Sequence, residues 1–185
     1  MHMALAQDWT VERVRAIPDD GNRYEVIDGE LFVTPAPLVS HQRVQMRLVE
    51  LLLPYVRASG IELFVAPTAV RASPLTEVLP DLLAVPIGTA DAPGDRFIVM
   101  GEVLLAVEIA SRSTARVDRE RKRPLYMAEG VREYWIVDGA ARSVEVWTRG
   151  AIEPRVVRDQ LRWQPDARHD ALEISLEALW SGAQR

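Results

Sequence analysis

The segment VLLAVEIA, residues 103–110, is apolar throughout except for one acid. A strand-length apolar run without polar alternation marks a strand covered on both faces. The chain must therefore build layers on either side of a sheet, and an acid in such a strand needs a partner. VLPDLLAV (78–85) and EYWIV (133–137) have the same buried character. At 185 residues the chain is long enough to bury a sizeable core without a metal or disulfide staple.

Other periodicities fill in the layers. RYEVIDGELFVT (23–34) sets two alternating runs about Asp28-Gly29, which predicts an N-terminal type I′ β-hairpin. Residues 40–59 carry Val44, Leu48, Leu51, Leu52 and Tyr55 on one helical face, with Met46, Val49 and Leu53 extending apolarity around the cylinder. Pro54 should kink this helix or mark its last turns, and Gly60 should cap it. Short strands are expected at 61–66 and 68–72, a surface loop at 86–100, and a charged helix at 114–129 closed by Gly130. EYWIV should turn at Asp138-Gly139 into SVEVWT (143–148), with further strands and a short helix near 176–180. The sum is one α/β (α+β) domain over 1–185, a mixed central sheet flanked by helices.

Composition excludes several chemistries. With no cysteine there is no thiolate metal site, no Cys nucleophile and no disulfide scaffold. No apolar run reaches membrane-span length and no signal peptide is evident, so a cytoplasmic location is expected. The net charge of -5 argues against a protein coated with nucleic acid, while leaving room for a local basic groove.

Asp81 and Glu108 both lie in buried-type runs, where an unpaired carboxylate costs several kcal/mol or is forced neutral. Both are expected at the C-terminal ends of core strands, where open α/β sheets place their sites. RSTARVDRERKR (112–123) follows, with six cations against two acids, a local charge of +4. This run suits a polyanionic substrate near a metal, or else a solvated helix face of i,i+4 pairs such as Asp118–Lys122. Of the 22 basic residues, Lys122 is the single lysine. A compact, tunable ammonium does what a broad, permanently charged guanidinium does not.

The stretches RYEVIDGELFVTPAP, SHQRV, LPDLLAV and LLAVEIASRSTARVDRERKRPLYMAEGVREYWIVD, spanning about residues 23–148, resemble the Uma-two family of putative restriction endonucleases, within the PD-(D/E)XK nuclease superfamily. The resemblance implies a restriction-endonuclease-like fold. It implies Asp81 and Glu108 as catalytic metal ligands and Lys122 as the catalytic lysine. The superfamily's usual lysine position is Ala110 here, and Lys122 on the following helix matches the migrated one. Glu30 matches an early acidic position that orients a metal-bound water, and His41-Gln42 a polar pair at the rim.

On this reading Asp81, Glu108 and the carbonyl of Ile109 hold Mg²⁺ or Mn²⁺, and Lys122 positions or deprotonates water. Ser111, Arg112, Arg116 and Arg119 are candidate substrate contacts. The implied partner is nucleic acid, DNA first, cut by a homodimer. Two other functions stay open: an inactive nuclease fold that binds nucleic acid or a protein, and a metal-dependent hydrolase of a small phosphorylated molecule.

Overall fold

The computed structural model describes residues 9–90 and 97–181. A short helix, α1 (Val11–Arg15), precedes the hairpin β1 (Arg23–Ile27) and β2 (Glu30–Thr34). Asp28 and Gly29 have φ of 50° and 79°, the paired positive values that a type I′ turn demands. The long helix α2 (Val39–Ala58) buries Val44, Leu48, Leu52 and Val56. Pro54 lies within its last turns, and Gly60 follows in the left-handed region at φ 64°.

Strands β3 (Ile61–Val65), β4 (Val70–Ser73), β5 (Thr76–Val78), β6 (Leu82–Pro86), β7 (Ile98–Val99) and β8 (Leu105–Ile109) come next. After β8 the expected charged helix forms in three pieces: α3 (Ala115–Val117), a π turn (Asp118–Lys122) and α4 (Arg123–Ala128). Then come β9 (Glu133–Asp138), β10 (Ser143–Thr148), β11 (Arg155–Val157), β12 (Gln160–Trp163), β13 (Leu172–Ser175) and α5 (Leu176–Ser181). Part of the loop expected at 86–100, residues 91–96, lies outside the described residues.

Six strands form the central sheet in the order β11-β10-β9-β8-β6-β3, with β8 and β9 parallel and the other pairs antiparallel. A five-stranded sheet, β2-β1-β5-β4-β7, and the pair β12-β13 complete the fold. The strand period of two divides β8 between two cores. Leu105, Val107 and Ile109 pack with α2 and α5, whereas Ala106 packs with residues of the five-stranded sheet and Tyr126 of α4. Glu108 shares the face of Ala106, so its carboxylate is placed between the central sheet and the second layer. Trp135 and Trp163 are core residues, as their strand context implies.

VLPDLLAV is not one strand. Pro80 has no N–H to give a ladder, and the chain breaks at Leu79–Asp81 to cross from β5 in one sheet to β6 in the other. Asp81 therefore precedes β6, not at a strand's C-terminal end. The site survives this correction because β6 runs antiparallel to β8, so its start adjoins the end of β8.

Leu48 is fully buried and Met46 is 58% exposed on the same helix. Leu48→Ala should cost about 2–5 kcal/mol and Met46→Ala no more than about 0.5 kcal/mol, read as urea-midpoint shifts.

Candidate functional site

The β6–β8 ladder pairs Leu82 with Val107 and Leu83 with Ala106. Continued by one residue, it sets Asp81 opposite Glu108. The N–H of Ile109 donates to Asp81 Oδ2 at 2.8 Å, which confirms that the Asp81 side chain lies along the edge of β8. His41 Nε2 lies 2.9 Å from the same oxygen, and Arg23 Nη1 donates to Oδ1 at 3.0 Å. Gln45, one turn beyond His41 on α2, donates to the Asp81 carbonyl at 2.7 Å. The Asp81 side chain is only 2% exposed. Burial pushes its pKa up, but hydrogen bonds from His41 and Ile109 and the charges of His41 and Arg23 outweigh it and hold the carboxyl below its ordinary value.

Lys122 is the hub of the second half. Its ammonium lies 2.8 Å from Glu25 Oε1 and 2.9 Å from Glu108 Oε1, and all three side chains are nearly buried. Tyr126 OH donates to Glu108 Oε1 at 3.3 Å. The π turn makes this possible. Arg123 N–H reaches back to the Asp118 carbonyl, one residue further than in an α-helix, and both Asp118 and Lys122 are turned inward. The i,i+4 pair that could have been a solvated face is buried.

Burial alone would lower the Lys122 pKa. The carboxylates of Glu108, Glu25 and Asp118 overcome it and raise the pKa instead, so the group stays an ammonium. Burial raises Glu108 well above the usual carboxylate range despite the pull of Lys122, and Asp81 and Asp118 push the same way. Burial also pushes Asp118 up to about 6. One Asp118 oxygen, Oδ2, is buried without a hydrogen-bond partner.

These groups line the floor of a cavity of about 670 Å³ whose walls include Phe32, Pro35, Leu38, Ser111, Arg112 and Arg142. Of the expected site residues, Asp81, Glu108, Ile109, Lys122, His41, Ser111 and Arg112 line this cavity; Glu30, Gln42, Arg116 and Arg119 do not. Glu30 shares the inward face of the hairpin but sits at its turn end, ion-paired with Arg121. Gln42 is exposed on α2, one residue off the face that carries His41 and Gln45. Arg116 pairs with Glu120 at 2.8 Å, and Arg119 with Glu145 at 2.6 Å. Arg123 covers the Trp147 ring at 4.6 Å. Most cations of the run are thus engaged in pairs with other side chains of the protein.

Glu25, Arg23 and Gln45 were not among the expected residues. The alternation of β1 carries the signal for two of them, since Arg23 and Glu25 share the face of buried Ile27.

Among the described residues no group of three or more His, Asp or Glu is arranged to hold a metal ion. Mg²⁺ does not need such a cage, because it is commonly held by one or two carboxylates with waters and substrate phosphate completing its shell. Asp81, Glu108 and the main-chain edge at Ile109 supply hard oxygen donors of that kind. The carboxyl groups of Glu25 and Asp118 line the same cavity, so hard oxygen atoms gather where a divalent ion would be held. The residues present therefore fit the ion.

The family model described as a putative restriction endonuclease, Uma-two, matches residues 11–177. The chain belongs to this family. The match extends beyond both ends of the stretch that carries the resemblance in sequence. Among solved structures, a putative nuclease of the DUF820 family from Anabaena variabilis superposes with a TM-score of 0.80 at 15% identity, covering 95% of this chain and 99% of that one. At that identity the likeness shows the nuclease-like fold. None of the curated proteins matches. No helix among the described residues is long and apolar enough to cross a membrane.

The buried Asp118 gives a pH signature. Its value of about 6 in the fold lies above the ordinary 3.8, so the folded protein takes up the proton first. This contribution to stability is full below about pH 4 and is lost as the pH rises through 6, a swing of about 3 kcal/mol. With EDTA present, the stability of Asp118→Asn relative to the wild type should shift in the variant's favour by about that amount between about pH 4 and about pH 8. A difference that does not change with pH would remove Asp118 as a buried titrating group.

Proposed function

We propose that the protein is a metal-dependent endonuclease hydrolysing phosphodiester bonds of nucleic acid, DNA first. The observation that carries this reading is that Asp81, just before β6, adjoins Glu108 of β8, with Lys122 2.9 Å from Glu108, at the floor of one cavity. Membership of a family of putative restriction endonucleases supports it.

Mg²⁺ or Mn²⁺ held by Asp81, Glu108 and the Ile109 carbonyl would neutralise charge on the scissile phosphate and acidify a water. The chain's own groups do the rest. Arg23, His41 and the Ile109 N–H fix the rotamer of Asp81, so that its carboxylate is preorganised. Glu25 and Glu108 hold the Lys122 ammonium and keep it protonated. Lys122 is then an electrostatic group that orients water and stabilises phosphoryl oxygens, not a base that abstracts a proton. Arg112, exposed at the cavity wall, contacts a substrate phosphate. The reading carries with it a cytoplasmic homodimer, the simplest assembly that cuts both strands.

A second reading, hydrolysis of a small phosphorylated molecule, is favoured by the pairing of Arg119 with Glu145 and Arg121 with Glu30, which engages cations that a long polyanion would use.

Plasmid cleavage with Mg²⁺ or Mn²⁺ tests both. Asp81→Asn, Glu108→Gln and Lys122→Arg should each lose at least about 100-fold in rate with the fold retained by circular dichroism. Lys122→Arg is included because the buried slot between Glu25 and Glu108 fits a compact ammonium. Cutting that survives all three substitutions would overturn the site. Turnover of a phosphomonoester beside intact plasmid would select the second reading.

A further inference from the structure

The internal pairing of the basic run leaves open which cations meet the substrate. Arg142 answers on three separate observations. It lines the catalytic cavity and also a second cavity of about 540 Å³, which is walled by Arg158, Asp159, Gln160, Ser175 and Glu177. Its side chain is exposed and, among the described residues, makes no hydrogen bond or ion pair. Its backbone is held at φ 49°, a left-handed conformation that a side chain other than glycine, Asn or Asp seldom adopts.

The turn is built to impose that conformation. Asp138 ends β9 and its Oδ1 accepts the N–H groups of Ala140 (3.0 Å) and Ala141 (2.8 Å), while Asp138 and Ser143 close the ladder. Glycine is the economical residue at the position between. Arginine there sets a free guanidinium at the junction of two cavities at a conformational cost. Strain of this kind, beside a cavity, points to function.

We infer that Arg142 is a substrate-positioning residue that takes a backbone phosphate one step along the strand from the scissile one, and that the second cavity receives the adjoining nucleoside. This rests on the nuclease reading and specifies its substrate as a strand longer than one nucleotide. The charge of the second cavity agrees with the division of labour. Beyond Arg142 its walls set Arg158 against Asp159 and Glu177, a poor seat for a further phosphate. Those carboxylates, with Gln160 and Ser175, suit the hydroxyls and base edges of a nucleoside instead. Trp180, like Arg142, lines both cavities. Arg112 lines only the catalytic cavity, which assigns the two arginines to successive phosphates.

The test reads binding, not cleavage. On a Glu108→Gln background with Mg²⁺, the anisotropy of a fluorescent DNA oligonucleotide is titrated with protein at several salt concentrations. Arg142→Ala should weaken binding about tenfold at low salt and flatten the log–log salt slope by about 0.7–0.9, the loss of one phosphate contact. Arg116→Ala should leave both unchanged. Arg142→Gly separates a binding role from a structural one. Glycine relaxes the turn, so the melting temperature should hold or rise while binding falls as in Arg142→Ala. A normal affinity and salt slope in Arg142→Gly would overturn the inference, as would a loss shared equally by Arg116→Ala. The nuclease reading fails by a different result, cutting by the Glu108→Gln protein itself.

Discussion

The Lys122 ammonium ties the two sheets of this protein together. It reaches from the π turn to Glu25 on the five-stranded sheet and to Glu108 on the central one. Each carboxylate, placed alone on the buried face of its strand, would carry a desolvation cost. Together with the ammonium they form a buried triad whose members depend on one another: removing one partner of such a pair leaves a charge stranded and typically costs about 3–5 kcal/mol. The tie also explains why the lysine resides on a helix. Position 110, two residues beyond Glu108 on the same strand face, holds alanine, and the π turn presents Lys122 from the layer above instead.

The same economy governs the arginines. Arg119, Arg121 and Arg123 dock the helical segment onto β10, the hairpin end and Trp147, so a run that looks like a basic patch in sequence is mostly structural mortar. Among the described residues, the arginines that line the cavity without an ion pair are two exposed side chains on loops, Arg112 after β8 and Arg142 before β10. The floor between them is acidic. A phosphate entering there is attracted by the rim and by any cation bound on the floor, which gives the proposed reaction its dependence on metal.

Much of the fold was legible before the structure, because it rests on local rules. Asp28-Gly29 can make a tight turn of one kind, the apolar face of residues 40–59 can only be a helix packed on a sheet, and VLLAVEIA can only be a covered strand. Asp81 and Glu108 could be picked out because each is a charge where the local pattern leaves little water, and Lys122 because it is the single lysine among 22 basic residues. Glu25 was passed over in favour of Glu30, although both occupy the same face of the hairpin. The register decides between them, since Glu25 sits opposite Phe32 at the cavity and Glu30 sits beside the turn. Gln45 and not Gln42 meets Asp81 for the same kind of reason, since Gln42 lies one residue off the helical face that carries His41.

By itself, then, the sequence determined most of the elements, the layering and the two acids in buried-type runs, because strand and helix periods and desolvation costs act over a few residues. The tertiary structure decided the rest. Pro80 split an apparent strand between two sheets, and antiparallel register brought Asp81 to Glu108. An extra residue in one helical turn drove Asp118 and Lys122 inward, and long-range pairing settled which arginines are spent and which stay free. Those outcomes depend on contacts between segments tens of residues apart, and no local pattern encodes the geometry of such a meeting.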